Sequence, residues 1–166
     1  MKSRKIAFLG LLIALAFVLS YVEMLLPINI GIPGAKVGLA NLVIMVALYT
    51  IGERNAFILS VVRVVLVGLT FGNLAMMIYS LAGAMLSFVA MLIAKRIKLF
   101  SVTGVSVVGS VFHNLGQIIV AIIVLDTASL IYYFPFLVVV GTISGIVIGI
   151  ISGMIIERFR KNSIGF

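Results

Sequence analysis

The sequence contains no cysteine, and acidic residues are scarce. Without cysteine, the chain can form no disulfide bond, offers no thiolate nucleophile and cannot ligate an iron–sulfur cluster through sulfur. Only 4 of its 166 residues are acidic, and charged residues of both signs make up only 10% of the chain. So small a charged fraction is not typical of a water-soluble domain.

Apolar residues are abundant: 64% of the chain is hydrophobic and the mean hydropathy is +1.40. A soluble domain of this size could not bury that much apolar surface, so the composition indicates an integral membrane protein. Six apolar segments are each near the ~17–25 residues that span a bilayer as a helix. We therefore predict an all-α fold of six transmembrane helices in a single domain, residues 1–166. The predicted helices are at about 6–26, 34–51, 56–71, 74–94, 103–125 and 133–156.

The basic residues predict the orientation of these helices in the membrane. Ten of the twelve fall at the N-terminus, in the second and fourth connections or at the C-terminus, all on one side of a six-helix bundle. By the positive-inside rule, both termini are cytoplasmic. The basic N-terminus followed by an apolar run resembles a signal peptide, but no small-residue cleavage site follows, so we interpret the run as a retained first helix. We expect no ATPase domain in this chain.

Arg63 places a permanent cation nine residues after Arg54, within the third apolar segment. At ~1.5 Å of rise per residue, it lies about 13 Å from either end of a helix. That depth is near the centre of a bilayer whose hydrocarbon is ~30 Å thick. A charge there costs at least ~2.5–3.5 kcal/mol, so it should face a polar interior. Two interpretations stay open: a ligand or ion site, or an arginine that ties neighbouring helices together.

A polar stripe runs along the predicted fifth helix. At 100° per residue its members fall within one arc of about 100°, which cannot face lipid. The members are Ser106, Ser110, His113, Asn114 and Gln117. His113 and Asn114 lie at a depth similar to that of Arg63, so a cavity between the third and fifth helices would collect them. The stripe is either part of a binding site or an interhelical hydrogen-bond network.

The predicted second helix offers another cation near its start. Proline and glycine at positions 33 and 34 begin a helix tightly, and the N–H groups beside Lys36 make an anion site. Alternatively, Lys36 reaches the outer headgroups while Asn41 packs against a helix. Glu23, at the outer end of the first helix, either pairs with Lys36 or Arg63 or is a solvated end charge.

Two stripes of small residues predict close helix contacts. The stripe in the sixth segment consists of Gly141, Gly145, Gly149 and Gly153, and the stripe in the first consists of Ala7, Gly10 and Ala14. One stripe can serve the internal fold and the other a partner helix, and the spacing does not say which. The methionines of the fourth segment are interpreted as core filling. They are Met76, Met77, Met85 and Met91.

Three motifs occur in order along the chain: Pro33-Gly-Ala-Lys-Val-Gly-Leu-Ala-Asn41, Arg63-Val-Val-Leu-Val-Gly-Leu-Thr-Phe-Gly72 and His113-Asn-Leu-Gly-Gln117. With these motifs the chain resembles the small bacterial membrane proteins of the Gx transporter family, often labelled heptaprenyl diphosphate synthase component I. Members resemble the substrate-binding S components of energy-coupling-factor (ECF) transporters. The resemblance implies six helices, cytoplasmic termini and a cavity open to the outside. It also implies that the small residues of the first helix contact a transmembrane coupling subunit.

The synthase label does not fit the acidic residues. Prenyl diphosphate synthases hold magnesium against diphosphate with clustered aspartates, whereas this chain has only Asp126 and three scattered glutamates. We therefore expect no enzymatic activity, no metal and no cofactor. An accessory role beside a synthase stays compatible with the sequence.

Together these features predict the substrate-binding subunit of an ECF-type importer in the plasma membrane. It would capture a small or amphipathic anionic solute, vitamin-like or isoprenoid-like, from the outer face, and the loop from Pro27 to Pro33 would close over it. The predicted site residues are Arg63, His113, Asn114, Gln117, Lys36, Asn41 and Glu23. The expected partners are membrane lipids and a coupling module of one transmembrane subunit and two ATPase subunits, with no nucleic acid.

Two other functions are compatible with the same residues. The first is a non-catalytic accessory or scaffold subunit of an isoprenoid, quinone or redox system, in which the polar groups only join the helices. The second, a proton-coupled carrier that works alone, is less favoured, because no mid-membrane carboxylate is present to carry the proton and only His113 remains.

Overall fold

The computed structural model describes residues 2–25 and 38–161, which form six α-helices and one short 3₁₀ helix. The α-helices are α1 (Lys2–Leu25), α2 (Leu39–Thr50), α3 (Glu53–Thr70), α4 (Leu74–Ile97), α5 (Val102–Leu125) and α6 (Phe134–Lys161). The 3₁₀ helix (Ala128–Tyr133) precedes α6. Within these two ranges there is no strand. The predicted all-helical fold with six α-helices is confirmed.

In the part of the chain that the structure describes, four helical stretches are long and apolar enough to cross a membrane: Lys5–Leu25, Leu74–Ile97, Val102–Leu125 and Ala128–Lys161. Helix α2 has only 12 residues, and α3 carries Glu53, Arg54 and Arg63 within its 18 residues. Large apolar side chains cover the outside of the bundle; Leu69, for example, is 73% exposed and Ile123 is 72% exposed. Soluble monomers rarely expose contiguous apolar patches of that kind. The chain is therefore a multi-pass membrane protein.

The helix ends follow local sequence signals. The Asn73 side chain caps α4 and the Ser101 side chain caps α5, each by accepting a hydrogen bond from the backbone N–H three residues later, at 2.8 and 3.2 Å. Gly38 adopts a φ of +80°, which is readily available only to glycine, and is not helical. The helix predicted from Gly34 therefore begins at Leu39 in the structure. Residues 34–37 lie outside the described residues.

Contacts between distant parts of the chain define two ends of the bundle. At one end, Lys95 near the end of α4 lies 3.5 Å from Glu53 at the start of α3. At the other end, the ring of Tyr21 near the end of α1 lies 4.9 Å from that of Phe71, just after α3. We call the first the basic end and the second the cavity end. The described basic residues at the basic end include Arg54, Lys95, Arg96, Lys98, Arg158, Arg160 and Lys161.

Helix α5 lies between α4 and α6, and its contacts with these two helices are the most extensive helix contacts of the bundle. Helix α2 is the most enclosed helix, with its central residues 43–48 all buried. The largest fully buried side chains come from α2, α3, α5 and α6: they include Met45, Leu48, Leu59, Val105 and Ile148. Such packing fixes the rotation of each helix, and with it the direction in which each polar side chain points.

The glycine stripe of α6 lies inside the bundle. A Cβ atom added at Gly149 would lie 2.6 Å from the Cα atom of Thr103, and one added at Gly145 would lie 2.7 Å from the Cα atom of Val107. These distances leave no room for a side chain, so the glycines permit the close approach of α5 and α6. At Gly153 an added Cβ atom has nothing within 4 Å. The stripe therefore serves the internal fold over most of its length.

At the basic end, Glu53 and Lys95 together join α2, α3 and α4. Its carboxylate lies 3.2 Å from the Arg96 guanidinium and 3.5 Å from the Lys95 ammonium. The Lys95 ammonium also donates to the carbonyl of Leu48 at 3.1 Å and lies 5.2 Å from the ring centroid of Tyr49. The hydrogen bond from Arg96, helped by the charges of Lys95 and Arg96, holds the pKa of Glu53 below its ordinary value despite partial desolvation. These charges are all paired with one another.

Candidate functional site

A cavity lies at the cavity end, and all six helices contribute to its lining. Its volume is about 130 Å³. Engineered cavities of about 150 Å³ hold a benzene molecule, so a group of similar size fits here. The polar lining residues are Ser20, Glu23, Asn41, Arg63, Ser80, Ser110, His113, Asn114 and Ser144. The larger apolar lining residues are Met24, Val64, Val67, Phe71, Met76 and Met77.

Arg63 is the cation of this cavity. Its Nη1 atom lies 3.5 Å from the Oγ atom of Ser20, at the outer limit of a hydrogen bond. The Ser20 hydroxyl donates to the carbonyl of Ala16 at 2.9 Å, so its oxygen can accept from the guanidinium. The Nε atom of Arg63 is buried and has no hydrogen-bond partner among the described residues. The guanidinium therefore retains donor capacity that an anion can use.

Glu23 lines the same cavity one helical turn beyond Ser20. Its Oε1 atom accepts a hydrogen bond from the backbone N–H of Gly38, immediately before α2. The ion pairs that the described residues form do not include one between Glu23 and Arg63. Glu23 is half-buried, and it forms no contact ion pair with Arg63; the predicted pairing with Lys36, which lies outside the described residues, stays a prediction. The carboxylate binds the backbone at the start of α2.

The polar stripe of α5 is divided between the cavity and helix contacts. Ser110, His113 and Asn114 line the cavity. Asn114 is only 9% exposed, and its Nδ2 atom donates to the carbonyl of Leu137 in α6 at 2.9 Å. Asn114 therefore both joins two helices and lines the cavity. Gln117 is not among the lining residues; it lies at the contact with α4, where its Cγ atom would be 2.9 Å from a Cβ atom at Gly83.

The second helix contributes Asn41, which lines the cavity beside Gly38. Lys36 and the loop from Pro27 to Pro33 lie outside the described residues, so their predicted roles stay predictions. Of the seven predicted site residues, the structure brings Glu23, Asn41 and Arg63 together with His113 and Asn114.

Several lining residues were not among the predicted site residues. Ser20 contacts Arg63, and its position one turn before Glu23 on the same face of α1 is the signal that could have identified it. Met76 and Met77, which we interpreted as core filling, line the cavity instead, because the first turn of α4 faces it. Ser80 and Ser144 also line it. Isolated serines in apolar helices give no comparable signal in the sequence.

The small face of α1 points away from the bundle. Ala7, Gly10 and Ala14 are exposed, and an added Cβ atom at Gly10 has nothing within 4 Å. The opposite face carries Leu12 and Ala16, which are 6% and 0% exposed. The structure therefore leaves the first-helix stripe accessible from outside.

The groups in the cavity suit recognition by charge and hydrogen bonding. The cavity contains one guanidinium, one carboxylate, one imidazole, two amides and four hydroxyls, next to an apolar wall. Across residues 2–25 and 38–161, no group of three or more His, Asp or Glu side chains is placed to hold a metal ion. This lining can bind a small solute that has both a polar and an apolar part.

The comparisons with known proteins agree with the resemblance inferred from the three motifs. The family model described as heptaprenyl diphosphate synthase component I matches residues 12–155. Searches of curated proteins and of solved structures found no match. The family match extends over most of the chain: it includes α2, α3, α4 and α5 in full and parts of α1 and α6. The chain therefore belongs to the heptaprenyl diphosphate synthase component I family.

Proposed function

We propose that the protein is the substrate-binding subunit of an ECF-type importer and that it binds a small or amphipathic solute through an anionic group. One observation carries this proposal: the Arg63 guanidinium lines a cavity in a membrane protein while its buried Nε atom has no partner among the described residues. An arginine that only joined helices would be expected to satisfy its donors on carbonyls or a carboxylate. Within residues 2–25 and 38–161, the guanidinium has one hydrogen-bond contact, the Ser20 hydroxyl at 3.5 Å, and it forms no contact ion pair with the nearby Glu23.

The residues around Arg63 divide the task of binding. Arg63 is the countercharge for the anionic group. His113 and Asn114 orient the solute by hydrogen bonds, and Asn41 and Glu23 act at the side of the cavity nearest the start of α2. The apolar wall formed by Phe71, Met76 and Met77 receives the less polar part of the solute, since methionine adapts to irregular shapes. Lys36 and Gln117 stay predicted contributors outside this group.

The exposed small face of α1 supports the proposed partner. Small residues allow two helix backbones to approach closely in a membrane, and Ala7, Gly10 and Ala14 are all exposed. We assign this face to the transmembrane subunit of a coupling module that also contains two ATPase subunits. In this assignment the protein lies in the plasma membrane with its basic end in the cytoplasm, as the positive-inside rule predicts, and the cavity opens to the outside.

The first test is mass spectrometry of small molecules retained by the purified protein, for the wild type and Arg63→Ala. We expect an anionic compound that only the wild type retains, because losing hydrogen bonds to a charged group weakens binding by roughly 10- to 150-fold. Arg54→Ala is the matched control, since Arg54 is exposed at the basic end. Retention of the same compounds by both Arg63 forms would refute the assignment.

A second test addresses the coupling module. Co-expression with a transmembrane coupling subunit and two ATPase subunits should give a stable complex that Ala14→Trp disrupts. Leu15→Trp is the control, because Leu15 is also exposed but points about 100° away from Ala14 around the helix. Equal recovery with both variants would exclude the small face as the contact.

The family name favours one alternative, an accessory membrane subunit of an isoprenoid system. It predicts co-purification with a prenyl diphosphate synthase and no effect of Arg63→Ala on retained small molecules. The two proposals therefore give opposite results in the same pair of experiments.

A further inference from the structure

The cavity contains two opposite charges that are not paired with each other. Arg63 and Glu23 both line it. The charge of Glu23 acts on Arg63 electrostatically, but the two side chains form no contact ion pair, whereas other described residues form ion pairs at 3.2 and 3.5 Å. If Glu23 served only to neutralise Arg63, a direct contact would be the favourable arrangement, because charge-assisted hydrogen bonds are stronger than neutral ones. The fold instead directs each charge to a different partner.

Each of the two charged groups has its own hydrogen-bond partner. The Glu23 carboxylate accepts from the backbone N–H of Gly38, at the start of α2. The Arg63 guanidinium contacts the hydroxyl of Ser20, whose proton is donated to the carbonyl of Ala16. Because Ser20 and Glu23 are three residues apart on α1, their positions differ by ~4.5 Å along the helix axis. The hydroxyl that contacts Arg63 and the Glu23 carboxylate thus come from successive turns of α1.

Each charge also retains capacity for another hydrogen bond. The buried Nε atom of Arg63 has no partner within the described part of the chain. A carboxylate can accept about four hydrogen bonds, and Gly38 supplies one of them to Glu23. A purely anionic solute would satisfy Arg63 but would lie close to the Glu23 carboxylate, which repels it. A solute with a cationic group on the same side as Glu23 would satisfy both residues.

We propose that the solute is a zwitterion: its carboxylate or phosphate binds Arg63, and its ammonium or other cationic nitrogen binds Glu23, about one helical turn away. This inference rests on the proposed binding function and specifies the class of solute. Both charged side chains of the cavity, Arg63 and Glu23, then take part in recognising the solute. Glu23 becomes a specificity residue that selects against simple anions.

Equilibrium dialysis against a defined probe mixture tests the inference, with mass spectrometry to quantify the bound compounds. The mixture contains short-chain amino carboxylic acids and aminoalkyl phosphates, the matching acids and phosphates without the amine, and the matching amines without the acid. The proteins are the wild type, Arg63→Ala, Glu23→Gln and the control Glu157→Gln, which removes an exposed carboxylate at the basic end.

The zwitterion assignment predicts that the wild type retains the zwitterions at least about tenfold more than either matched set, which corresponds to one charge-assisted contact. Arg63→Ala and Glu23→Gln should each lower this retention about tenfold or more, and Glu157→Gln should not change it. The zwitterion assignment would be overturned if the wild type retained simple anions preferentially and Glu23→Gln retained them equally well or better. That result would leave the proposed binding function intact. No difference between the wild type and Arg63→Ala for any probe would overturn both.

Discussion

The two ends of the bundle use charged residues in opposite ways. At the basic end, Glu53 contacts both Arg96 and Lys95, and Lys95 also binds the carbonyl of Leu48. At the cavity end, Arg63 and Glu23 line one cavity without forming an ion pair. Paired charges satisfy one another and join helices, whereas separated charges leave capacity for a ligand. The difference agrees with a basic end that stabilises the bundle and with our proposal that the cavity end binds a solute.

The packing around the α6 glycines also differs between the two ends of the bundle. Close to the basic end, a Cβ atom at Gly149 would meet the backbone of α5 at Thr103, at 2.6 Å. Close to the cavity, a Cβ atom at Gly141 would first meet a side-chain atom, the Nδ2 of Asn114, at 2.9 Å. A side chain can move to accommodate a new atom more readily than a helix backbone can.

The largest effect is expected from Gly149→Val. Two helices would have to separate, and overpacking of this kind costs about 1–3 kcal/mol or more. Thermal unfolding of the purified protein in detergent should show a marked decrease in Tm. Gly153→Val is the control, since an added Cβ atom there has nothing within 4 Å. Equal Tm values for the two variants would contradict the close contact of α5 and α6.

Arg63→Met should increase the free energy of unfolding, by about 1 kcal/mol. The substitution replaces an incompletely satisfied cation with an apolar side chain of similar length, and such replacements of buried charges are often stabilising. The measurement is Tm together with retained small molecules, which should be lost. A decrease in Tm as large as that of Gly149→Val would show that Arg63 is structural, and the comparison between the two ends would fail.

Glu53→Gln should destabilise the protein slightly at neutral pH. It removes the charge that Arg96 and Lys95 share, but the site is partly solvated, so we expect a decrease in Tm of at most about 4 °C. Retained small molecules should not change, because Glu53 lies at the opposite end from the cavity. Loss of bound compounds in this variant would show that the ends are coupled.

The smallest effect is expected in the pH dependence of the Tm difference between the wild type and Glu53→Gln. The pKa of Glu53 is lower in the folded protein than its ordinary value. The stabilising contribution of the Glu53 charge is therefore fully present above the ordinary glutamate pKa of about 4.3. This contribution is lost as the pH falls through the lower pKa of the folded state. The Tm difference between wild type and Glu53→Gln should therefore be constant near neutrality and shrink below about pH 4. A difference that persists at pH 2–3 would mean that the charge of Glu53 is not its source.

The sequence indicated the helices and part of the site because both depend on local patterns. Apolar segment length predicted six helices, and the polar arc of α5 identified the face that carries Ser110, His113 and Asn114. The position of Arg63 near the middle of its apolar segment was enough to predict polar groups around its side chain. Gln117 belongs to the same arc, yet it lies at the contact with α4. A polar arc of about 100° is wide enough to face both the cavity and a neighbouring helix. The sequence gives no information on where along the arc one ends and the other begins.

The sequence by itself determined that this chain is helical, apolar and provided with a mid-span cation, because composition and periodicity within one helix suffice for these properties. Only the tertiary structure decided that the α6 glycines pack inside while Ala7, Gly10 and Ala14 stay exposed. It likewise decided that the Glu23 carboxylate accepts a hydrogen bond from Gly38, immediately before α2. These outcomes depend on how the helices rotate and pair, which is set by contacts between residues far apart in the chain.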